Sequence, residues 1–394
     1  MTSSSLLFRR GLDLKDAVAA ELSQNYHSDL VQQIKANDFQ YREGRLTVHL
    51  AREFGFCYGV DRAVDYAYQT RERFPDRRVF LTGEIIHNPH VNDRLRRKGI
   101  RFLTDPSDEP ALGPQDVVVL PAFGVTTAEM RRFSAIGCVM VDTTCGSVLN
   151  VWKNVKRYAQ DGFTSIIHGK VWHEETQATA SQALEHADGH FLVVLNLEEA
   201  EEVCACIRGD GDRDRLLTRF RDAVSPGFDP DRHLERIGLA NQTTMLMSES
   251  LQVQELFRQA MVARDGADAA ASRFRAFDTI CSATQDRQDA VVALLNERAV
   301  DLMLVIGGYN SSNTCNLARI CAGTVPTFHI AEPECLESAD AIRHRPSGGK
   351  GEVRATGWLP AEGNLSIGLT SGASTPDNLV GTAVRRLAAL CNPV

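Results

Sequence analysis

The sequence predicts an α/β protein built from three small domains whose sheets are mostly parallel. Strand-like and helix-like patterns alternate along the chain; Leu46–Leu50 alternates as a strand does, and Val60–Ala67 repeats its apolar positions at helical spacing. Such alternation is typical of parallel sheets covered by helices on both faces. A chain of 394 residues is too long for one ordinary core, which favours two or three domains.

The rest of the sequence also alternates between strand and helix patterns, and it can be divided into an extension and three domains. Residues 1–44 carry helical patterning and are predicted to form an N-terminal extension. Three α/β domains are then expected at 45–144, 145–280 and 281–394, and the first strand of the first domain could join the sheet of the third. Residues 209–236 are rich in Asp, Arg, Gly and Pro and are predicted to form a surface excursion. Further strand patterns, most of them followed by helical ones, occupy 78–82, 117–121, 138–142, 165–169, 191–195, 237–240, 274–277, 302–306 and 366–369.

Composition excludes several classes of function. A net charge of -8 and scattered basic residues argue against a nucleic-acid-binding face. No apolar run is long enough to span a bilayer, and no signal-peptide pattern opens the chain. A cytoplasmic protein is therefore expected, or one of the plastid stroma if the source is a plant. In a reducing compartment the ten irregularly spaced cysteines are expected to be thiols or metal ligands.

Three of these cysteines stand where a predicted strand passes into a helix. Cys57 lies between two glycines that permit a tight turn, and a helix N-terminus favours its thiolate form. Cys145 and Cys281 end two near copies of one motif, D-T-T-C and D-T-I-C. Ligands of parallel α/β domains gather at the C-terminal ends of strands, so three domains around an axis could bring the three thiolates into one cavity.

A metal centre explains these cysteines better than packing does. Zinc would need a fourth ligand, and its cysteines usually come in close pairs. An iron–sulfur cluster is normally held by four cysteines, so three would leave one iron open to substrate. We favour the cluster over zinc, and both over three unrelated core cysteines. The other cysteines are predicted to serve packing: Cys138, Cys204, Cys206, Cys315, Cys321, Cys335 and Cys391.

Polar side chains follow most of the other predicted strands. Hydroxyls, amides and backbone N–H groups at helix starts would suit a phosphate or diphosphate, although each residue taken singly could merely cap its helix. His87 and His173 lie in such loops, where an imidazolium would suit an anion. The predicted anion-binding residues are His87, His173, Gln242, Thr243, Asn310, Ser311, Ser312, Asn313 and Ser374.

Glu175 is the best candidate for proton delivery, directly or through Thr243 and water. No Gly-x-Gly-x-x-Gly motif follows a strand, so no nicotinamide or flavin site is expected. Electrons must then come from outside the protein.

Taken together, these motifs resemble those of the LytB family over residues 46–380. The signatures are Gly55–Val60, Glu84–Asn88, Asp142–Cys145, His173-x-Glu175, Gln242–Thr244, Ile280–Thr284, Asn310–Asn313 and Gly372–Ser374. The N-terminal extension and the His173–Thr176 run are similar to the cyanobacterial and plastid branch. The resemblance implies three α/β domains in a pseudo-threefold trefoil around a [4Fe-4S] cluster, with Cys57, Cys145 and Cys281 as ligands and one open iron.

The resemblance also implies an activity. LytB proteins reduce 4-hydroxy-3-methylbut-2-enyl diphosphate to isopentenyl and dimethylallyl diphosphates, the last step of the non-mevalonate isoprenoid pathway. Glu175 and Thr243 would then deliver protons with help from His173, and a ferredoxin or flavodoxin would supply electrons. Among the diphosphate contacts would be His87, Ser311, Asn313 and Ser374. Phe123 stands where many members have a histidine that contacts the diphosphate, and we expect Thr126 or a nearby backbone amide to compensate in part.

Two other functions remain open at this point. An iron–sulfur Lewis-acid dehydratase of the quinolinate synthase kind would share the three cysteines but would need no reductant. A metal or iron–sulfur sensor would not need the polar side chains that follow the predicted strands.

Overall fold

The computed structural model describes residues 6–104, 112–277 and 279–392. These residues fall into two compact units. Unit 1 consists of residues 6–7, 112–277 and 279–281, and unit 2 of residues 8–104 and 282–392. Within the described ranges, every helix is either too short or too polar to cross a membrane.

Helices and strands alternate through most of both units. The strands are β1 (Leu7–Phe8), β2 (Gln40–Glu43), β3 (Leu46–Leu50), β4 (Val79–Leu81), β5 (Ile100–Phe102), β6 (Val117–Leu120), β7 (Val139–Asp142), β8 (Thr164–His168), β9 (Phe191–Val194), β10 (Ile237–Asn241), β11 (Phe274–Ala276), β12 (Leu302–Ile306), β13 (Thr327–Ile330), β14 (Ala341–His344), β15 (Val353–Thr356) and β16 (Leu365–Ser371). The α-helices are α1 (Lys15–Tyr26), α2 (Asp29–Ala36), α3 (Tyr58–Arg73), α4 (Pro89–Arg97), α5 (Thr127–Ile136), α6 (Gly146–Gln160), α7 (Glu174–Ala183), α8 (Leu197–Arg208), α9 (Arg213–Arg219), α10 (Pro230–His233), α11 (Met247–Asp265), α12 (Ala267–Arg273), α13 (Ser282–Glu297), α14 (Ser312–Ala322) and α15 (Asp377–Cys391).

Unit 1 contains a four-stranded parallel sheet in the order β11-β10-β8-β9. Strands β8 and β10 are buried along their whole length, as expected for central strands covered on both faces. Leu239 and Phe257 lie in the apolar core beside them. In the same unit β6 pairs in parallel with β7. All these strands present their C-terminal ends to helix-starting loops, and those loops carry the polar residues of interest.

Unit 2 contains a five-stranded sheet in the order β13-β12-β16-β3-β2. Its strands are parallel except for β2, which forms an antiparallel edge with β3. Leu304, Ile306 and Leu369 anchor its main core, and each is fully buried. Strands β4 and β5 form a further parallel pair, and β14 with β15 forms an antiparallel hairpin. The first α/β strand, β3, thus pairs with the last strand, β16.

The N-terminal extension is anchored in the core of unit 2. Its helical patterning corresponds to α1 and α2, and Val31 and Ile34 of α2 are buried in the same cluster as Val384 of α15. The extension also supplies β2, which the helical prediction did not include. Strand β2 forms because its backbone pairs with the exposed edge of β3.

The prediction that residues 209–236 form a surface excursion outside the core is wrong in part. Charged side chains do cover this segment, but Leu216, Phe220, Phe228 and Leu234 are buried in the core of unit 1. Leu216 and Phe220 are four residues apart and therefore share one face across the end of α9. The average composition of a polar segment does not reveal a few widely spaced apolar residues. Each of them still contributes buried apolar surface to the core.

The predicted α/β class with mostly parallel sheets is confirmed. The division into three domains and their arrangement as a trefoil stay predictions. The boundary predicted at residue 44 also stays a prediction. Residues 8–44 of the extension and strand β3 belong to the same compact unit, so the division into units does not separate them.

Candidate active site

A cluster of polar residues forms in unit 2 where three segments meet. We call it the strand-end cluster; its members are His87, Asn310, Ser311, Asn313 and Ser374. The Ser374 hydroxyl donates to the His87 carbonyl at 3.2 Å and lies 3.5 Å from the Ser311 hydroxyl. Ser311 caps α14 by accepting from the Thr314 N–H. Residues that are separated by up to nearly three hundred positions in the sequence are thus neighbours in the structure.

Two glycines permit this close approach. A Cβ atom at Gly308 would lie 2.5 Å from the His87 carbonyl oxygen, and one at Gly372 would lie 1.9 Å from the Thr314 hydroxyl. Real Cβ atoms do not come so near to backbone or buried oxygen atoms. Any larger residue at either position would therefore push the segments apart.

The Glu84 carboxylate contacts two members of the cluster, His87 and Asn310, and orients them. Glu84 Oε2 lies 2.9 Å from His87 Nδ1 and accepts a hydrogen bond of 2.7 Å from the Asn310 amide. Glu84 was part of a sequence signature but was not assigned a role, and the structure identifies it as the residue that orients His87 and Asn310.

Asn313 contributes an unused donor. Its Oδ1 accepts from the Ala373 N–H at 2.9 Å, and the residue is 2% exposed. Its Nδ2 is buried and makes no hydrogen bond within the part of the chain that the structure describes. A buried amide without a partner costs on the order of 1–3 kcal/mol. The N-terminus of α14 and this amide together offer N–H groups to an anion.

We expect Asn313→Asp to raise the KM for a diphosphate substrate about tenfold or more. The aspartate keeps the oxygen that accepts from Ala373 but replaces the donor with a negative charge, and a charged hydrogen bond is worth about 1.5–3 kcal/mol. Steady-state kinetics would measure the change, with Asn296→Asp on the exposed side of α13 as a matched control. An unchanged KM in a folded Asn313→Asp protein would remove Asn313 from the site.

Cys57 is tied to this cluster through the backbone. It is the N-cap residue of α3, and its N–H donates to the carbonyl of Ala373, the residue before Ser374, at 3.1 Å. The preceding Gly55 has φ +80°, a conformation that glycine adopts at little cost. The predicted turn at Gly55 and the predicted position of Cys57 at a helix N-terminus are confirmed, whereas Gly59 lies in the first turn of α3 and not in the preceding turn.

Arg287 supports the same turn and was not predicted. Its side chain is buried, and it donates to the Gly55 carbonyl and to the Ala283 carbonyl, each at 2.8 Å. Ala283 lies two residues after Cys281 along the chain. An arginine in a helical pattern gives no sequence signal of such a contact, because exposed arginines on helices are far commoner.

In unit 1, Glu175 and Thr243 form a buried pair. The Glu175 carboxylate accepts from the Thr243 N–H at 2.6 Å and from the Thr243 hydroxyl at 3.0 Å, and Glu175 is 1% exposed. A carboxylate held by two donors is fixed in orientation. Its second donor is a hydroxyl, which can pass a proton on. The pairing predicted from the sequence for proton delivery is present as a direct contact.

His173 caps the helix that carries Glu175. Its Nδ1 accepts from the Glu175 N–H at 3.1 Å, and Glu174 Oε2 lies 3.8 Å from the same nitrogen. With Nδ1 as an acceptor, Nε2 carries the N–H donor of the ring. The role of His173 beside an anion stays a prediction. Phe123 packs edge-on against His173 with ring centroids 5.4 Å apart.

The two remaining predicted ligand cysteines join these residues into one chain of contacts. The Cys145 N–H donates to the carbonyl of Ala122, beside Phe123, at 2.9 Å, and the Cys281 N–H donates to the Thr243 carbonyl at 3.3 Å. Cys145 caps α6, and Cys281 directly precedes α13. Asp278, part of the repeated motif, lies outside the described residues.

The cysteines differ in their environments. Cys57, Cys145 and Cys281 are half-buried at helix starts, whereas Cys206 and Cys315 are half-buried within α8 and α14. Burial instead raises the pKa of the Cys204 and Cys321 thiols to about 12, and it also raises the pKa of Cys138, Cys335 and Cys391. Thiols of that kind are poor ligands, since a metal binds the thiolate. The donor chemistry of the three thiols at helix starts, Cys57, Cys145 and Cys281, fits an iron–sulfur cluster.

Three predicted anion-binding or compensating residues are engaged within the protein. Gln242 accepts from the Lys170 N–H at 3.0 Å and donates to the Thr244 hydroxyl at 2.9 Å, which orders the loop after β10. Ser312 is buried in the first turn of α14. The Thr126 hydroxyl donates to Glu129 at 2.7 Å in a capping box, and the compensating role expected of Thr126 or a nearby backbone amide beside Phe123 stays a prediction.

Proteins of known name share this sequence over nearly its whole length. A 4-hydroxy-3-methylbut-2-enyl diphosphate reductase of Synechococcus sp. (strain RCC307) is 49% identical over 96% of this chain and 92% of its own. A reductase of the same name from Gloeobacter violaceus is 48% identical over 96% of this chain and 91% of its own. Both sources are cyanobacteria, as the resemblance predicted.

Solved structures show the same fold. One of an (E)-4-hydroxy-3-methyl-but-2-enyl diphosphate reductase, described as the terminal enzyme of the non-mevalonate pathway, matches with a TM-score of 0.51 and 26% identity, covering 86% of this chain and 98% of its own. A reductase from Plasmodium falciparum matches with a TM-score of 0.63 at 20% identity, covering 88% of each chain. The family model described as LytB protein matches residues 48–388. The chain therefore belongs to the LytB family.

Proposed function

We propose that this protein reduces 4-hydroxy-3-methylbut-2-enyl diphosphate to isopentenyl and dimethylallyl diphosphates. The family membership and the relatives' shared name support this activity over the dehydratase and the sensor. The observation that carries the chemistry is the buried Glu175–Thr243 pair, whose Thr243 carbonyl accepts from the N–H of Cys281.

Three thiolates, Cys57, Cys145 and Cys281, would hold a [4Fe-4S] cluster with one open iron. A cluster bound in this way supplies single electrons and a Lewis-acidic site for the substrate hydroxyl. All three residues are half-buried and start helices, where the backbone amides and the helix dipole favour thiolates.

The strand-end cluster would bind the diphosphate. The Ser311 hydroxyl, the Asn313 amide and the start of α14 would donate hydrogen bonds to phosphate oxygens, and Ser374 would do so by turning its hydroxyl from the His87 carbonyl. His87, held by Glu84, lies among these donors. Holding the diphosphate fixes the substrate's hydroxyl end relative to the rest of the site. Fixed geometry of this kind lowers the entropic part of the barrier.

Glu175 would deliver protons through Thr243, with the Nε2–H of His173 as a nearby donor. The carbon–oxygen bond breaks, the oxygen leaves as water with one proton, and the carbon skeleton gains two electrons and a second proton. Burial of Glu175 keeps bulk water from this path. Phe123, packed against His173, adds apolar surface to the same place.

The electrons would come from a one-electron carrier such as a ferredoxin or flavodoxin, since a cluster accepts one electron at a time. A cytoplasmic location remains the prediction from the sequence.

The test is anaerobic purification of the full chain, iron and sulfide analysis, and incubation with the hydroxylated diphosphate and reduced methyl viologen. Chromatography with mass detection is expected to show both five-carbon diphosphates. A dehydrated, more unsaturated product formed without any reductant would instead indicate a dehydratase. Bound iron without any turnover would favour a sensor.

A further inference from the structure

An arginine outside every sequence signature contacts the segment that carries the diphosphate-binding residues. Arg345 directly follows β14 of the antiparallel hairpin in unit 2. Its Nη1 donates to the Tyr309 carbonyl, and its Nη2 lies in hydrogen-bonding contact with the Cys315 sulfur. Tyr309 precedes Asn310, and Cys315 lies in the first turns of α14. The guanidinium therefore bridges both ends of residues 309–315.

The tyrosine of this segment is held on several sides. The Arg345 guanidinium carbon lies 5.4 Å from the Tyr309 ring centroid. The His329 ring meets Tyr309 edge-on with centroids 5.0 Å apart. The Tyr309 hydroxyl donates to Glu352 at 2.9 Å, which ties it to the edge of β15. A half-buried tyrosine with this many contacts has few accessible rotamers.

The segment's beginning is fixed by the same group of residues. Burial lowers the pKa of His329 to about 4, so its ring is neutral at physiological pH. Its Nε2 lies 2.9 Å from the Gly307 carbonyl and donates to it, while the His329 carbonyl accepts from the Arg345 N–H at 2.8 Å. Arg345 thus supports Gly307 indirectly and Tyr309 directly.

The charge of Arg345 is not neutralised locally. Within the described ranges, no carboxylate forms an ion pair with its guanidinium, whereas Arg343 and Arg354 of the same hairpin both pair with Glu337. A half-buried guanidinium that bonds a carbonyl and a sulfur keeps its full positive charge. That charge lies beside residues 309–315, the segment that carries Asn310, Ser311 and Asn313.

We propose that Arg345 is a positioning residue for the diphosphate of the substrate. By bridging Tyr309 and Cys315 it holds Asn310, Ser311 and Asn313 in the arrangement that binds the anion, and its positive charge favours that anion. The inference rests on the proposed function, because it takes the strand-end cluster as the diphosphate site. Arg345 does not touch the reacting atoms, so it should affect binding far more than the chemical step.

The test compares Arg345→Met, Arg345→Lys and the control Arg354→Met in the full-length, cluster-loaded protein. Arg354 is on the same hairpin and its side chain is 58% exposed. Measured quantities are kcat and KM for the hydroxylated diphosphate, and the Kd of inorganic diphosphate by competition. Iron content and the thermal unfolding midpoint show whether each variant is folded.

For Arg345→Met we expect KM and the Kd of inorganic diphosphate to rise about tenfold, with kcat within about twofold of wild type. Arg345→Lys keeps the positive charge but cannot contact both Tyr309 and Cys315, so its KM and Kd should lie between those of wild type and Arg345→Met. Arg354→Met should match wild type.

Unchanged binding in a folded Arg345→Met protein would overturn the inference and leave the proposed function standing. So would a fall in kcat with KM unchanged. A wild-type protein that neither turns over the substrate nor binds inorganic diphosphate would overturn both.

Discussion

Glu175→Gln is expected to lower kcat by about 10²- to 10³-fold while KM changes little. General acid catalysis by a positioned carboxyl group contributes about 10²–10⁴ in rate. Glutamine has nearly the same shape and keeps an oxygen for the Thr243 N–H, which Glu175 accepts at 2.6 Å. What the variant loses is the proton. Rapid-quench or steady-state assays with a chemical reductant would measure the effect.

The neighbouring residue provides the control. The Glu174 side chain is 54% exposed, whereas Glu175 is 1% exposed, although both belong to the first turn of α7. Glu174→Gln makes the same chemical change one residue away, in a carboxylate that lies 3.8 Å from His173 Nδ1 but outside the Glu175–Thr243 pair. Its turnover should fall far less than that of Glu175→Gln. Full turnover by Glu175→Gln would refute its role as the proton source, provided that the cluster content equals that of wild type. Thr243→Val should show a smaller defect, because the Glu175 carboxyl group and its contact with the backbone N–H of residue 243 remain.

Replacing any one of Cys57, Cys145 and Cys281 with serine is expected to abolish turnover and to remove most of the bound iron. Serine keeps the size of the side chain but lacks the thiolate that iron prefers. Loss of one of three ligands leaves too few to retain a cluster. Iron and sulfide analysis and the visible absorption of the anaerobic protein would measure the loss.

Cys206→Ser is the matched control for the three ligand variants. Cys206 is also half-buried, but it lies near the end of α8 with its sulfur 3.8 Å from the Asp212 carbonyl. Its removal should change neither iron content nor rate. Full iron and activity in Cys57→Ser, Cys145→Ser or Cys281→Ser would contradict the proposed ligand set.

Much of the candidate site could be predicted because its chemistry is local. Each of the three cysteines stands between a strand pattern and a helix pattern, and that position alone indicates a helix start. Cys57 and Cys145 are indeed N-cap residues. Ser311 is another, and its capping role is real, so the anion-binding interpretation adds to the cap and does not replace it.

Contacts between distant segments could not be predicted in the same way. Glu84 meets Asn310 across more than two hundred residues of sequence, and Arg345 meets Tyr309 only because the hairpin folds beside β13. A charged residue in a polar stretch looks the same whether it faces solvent or a neighbouring loop. The orientation of the His173 ring is a similar case, since it depends on the N–H group that its own helix offers to Nδ1.

Composition was the least reliable guide. Residues 209–236 look like a solvated loop by their Asp, Arg, Gly and Pro content, yet four apolar side chains from this segment help fill the core of unit 1. The N-terminal extension shows the reverse effect, because a strand of polar residues, β2, forms by pairing with the edge of β3. Edge pairing uses backbone groups and therefore leaves little trace in the side chains.

The central claim is that the protein removes the substrate hydroxyl by reduction, and an electron count tests it most directly. Anaerobic, cluster-loaded protein would be given the hydroxylated diphosphate and a measured amount of reduced methyl viologen in deuterated water. The account predicts two viologens oxidised for each five-carbon diphosphate formed, and one deuterium in each product molecule. Product formed without viologen oxidation, or without deuterium, would contradict it.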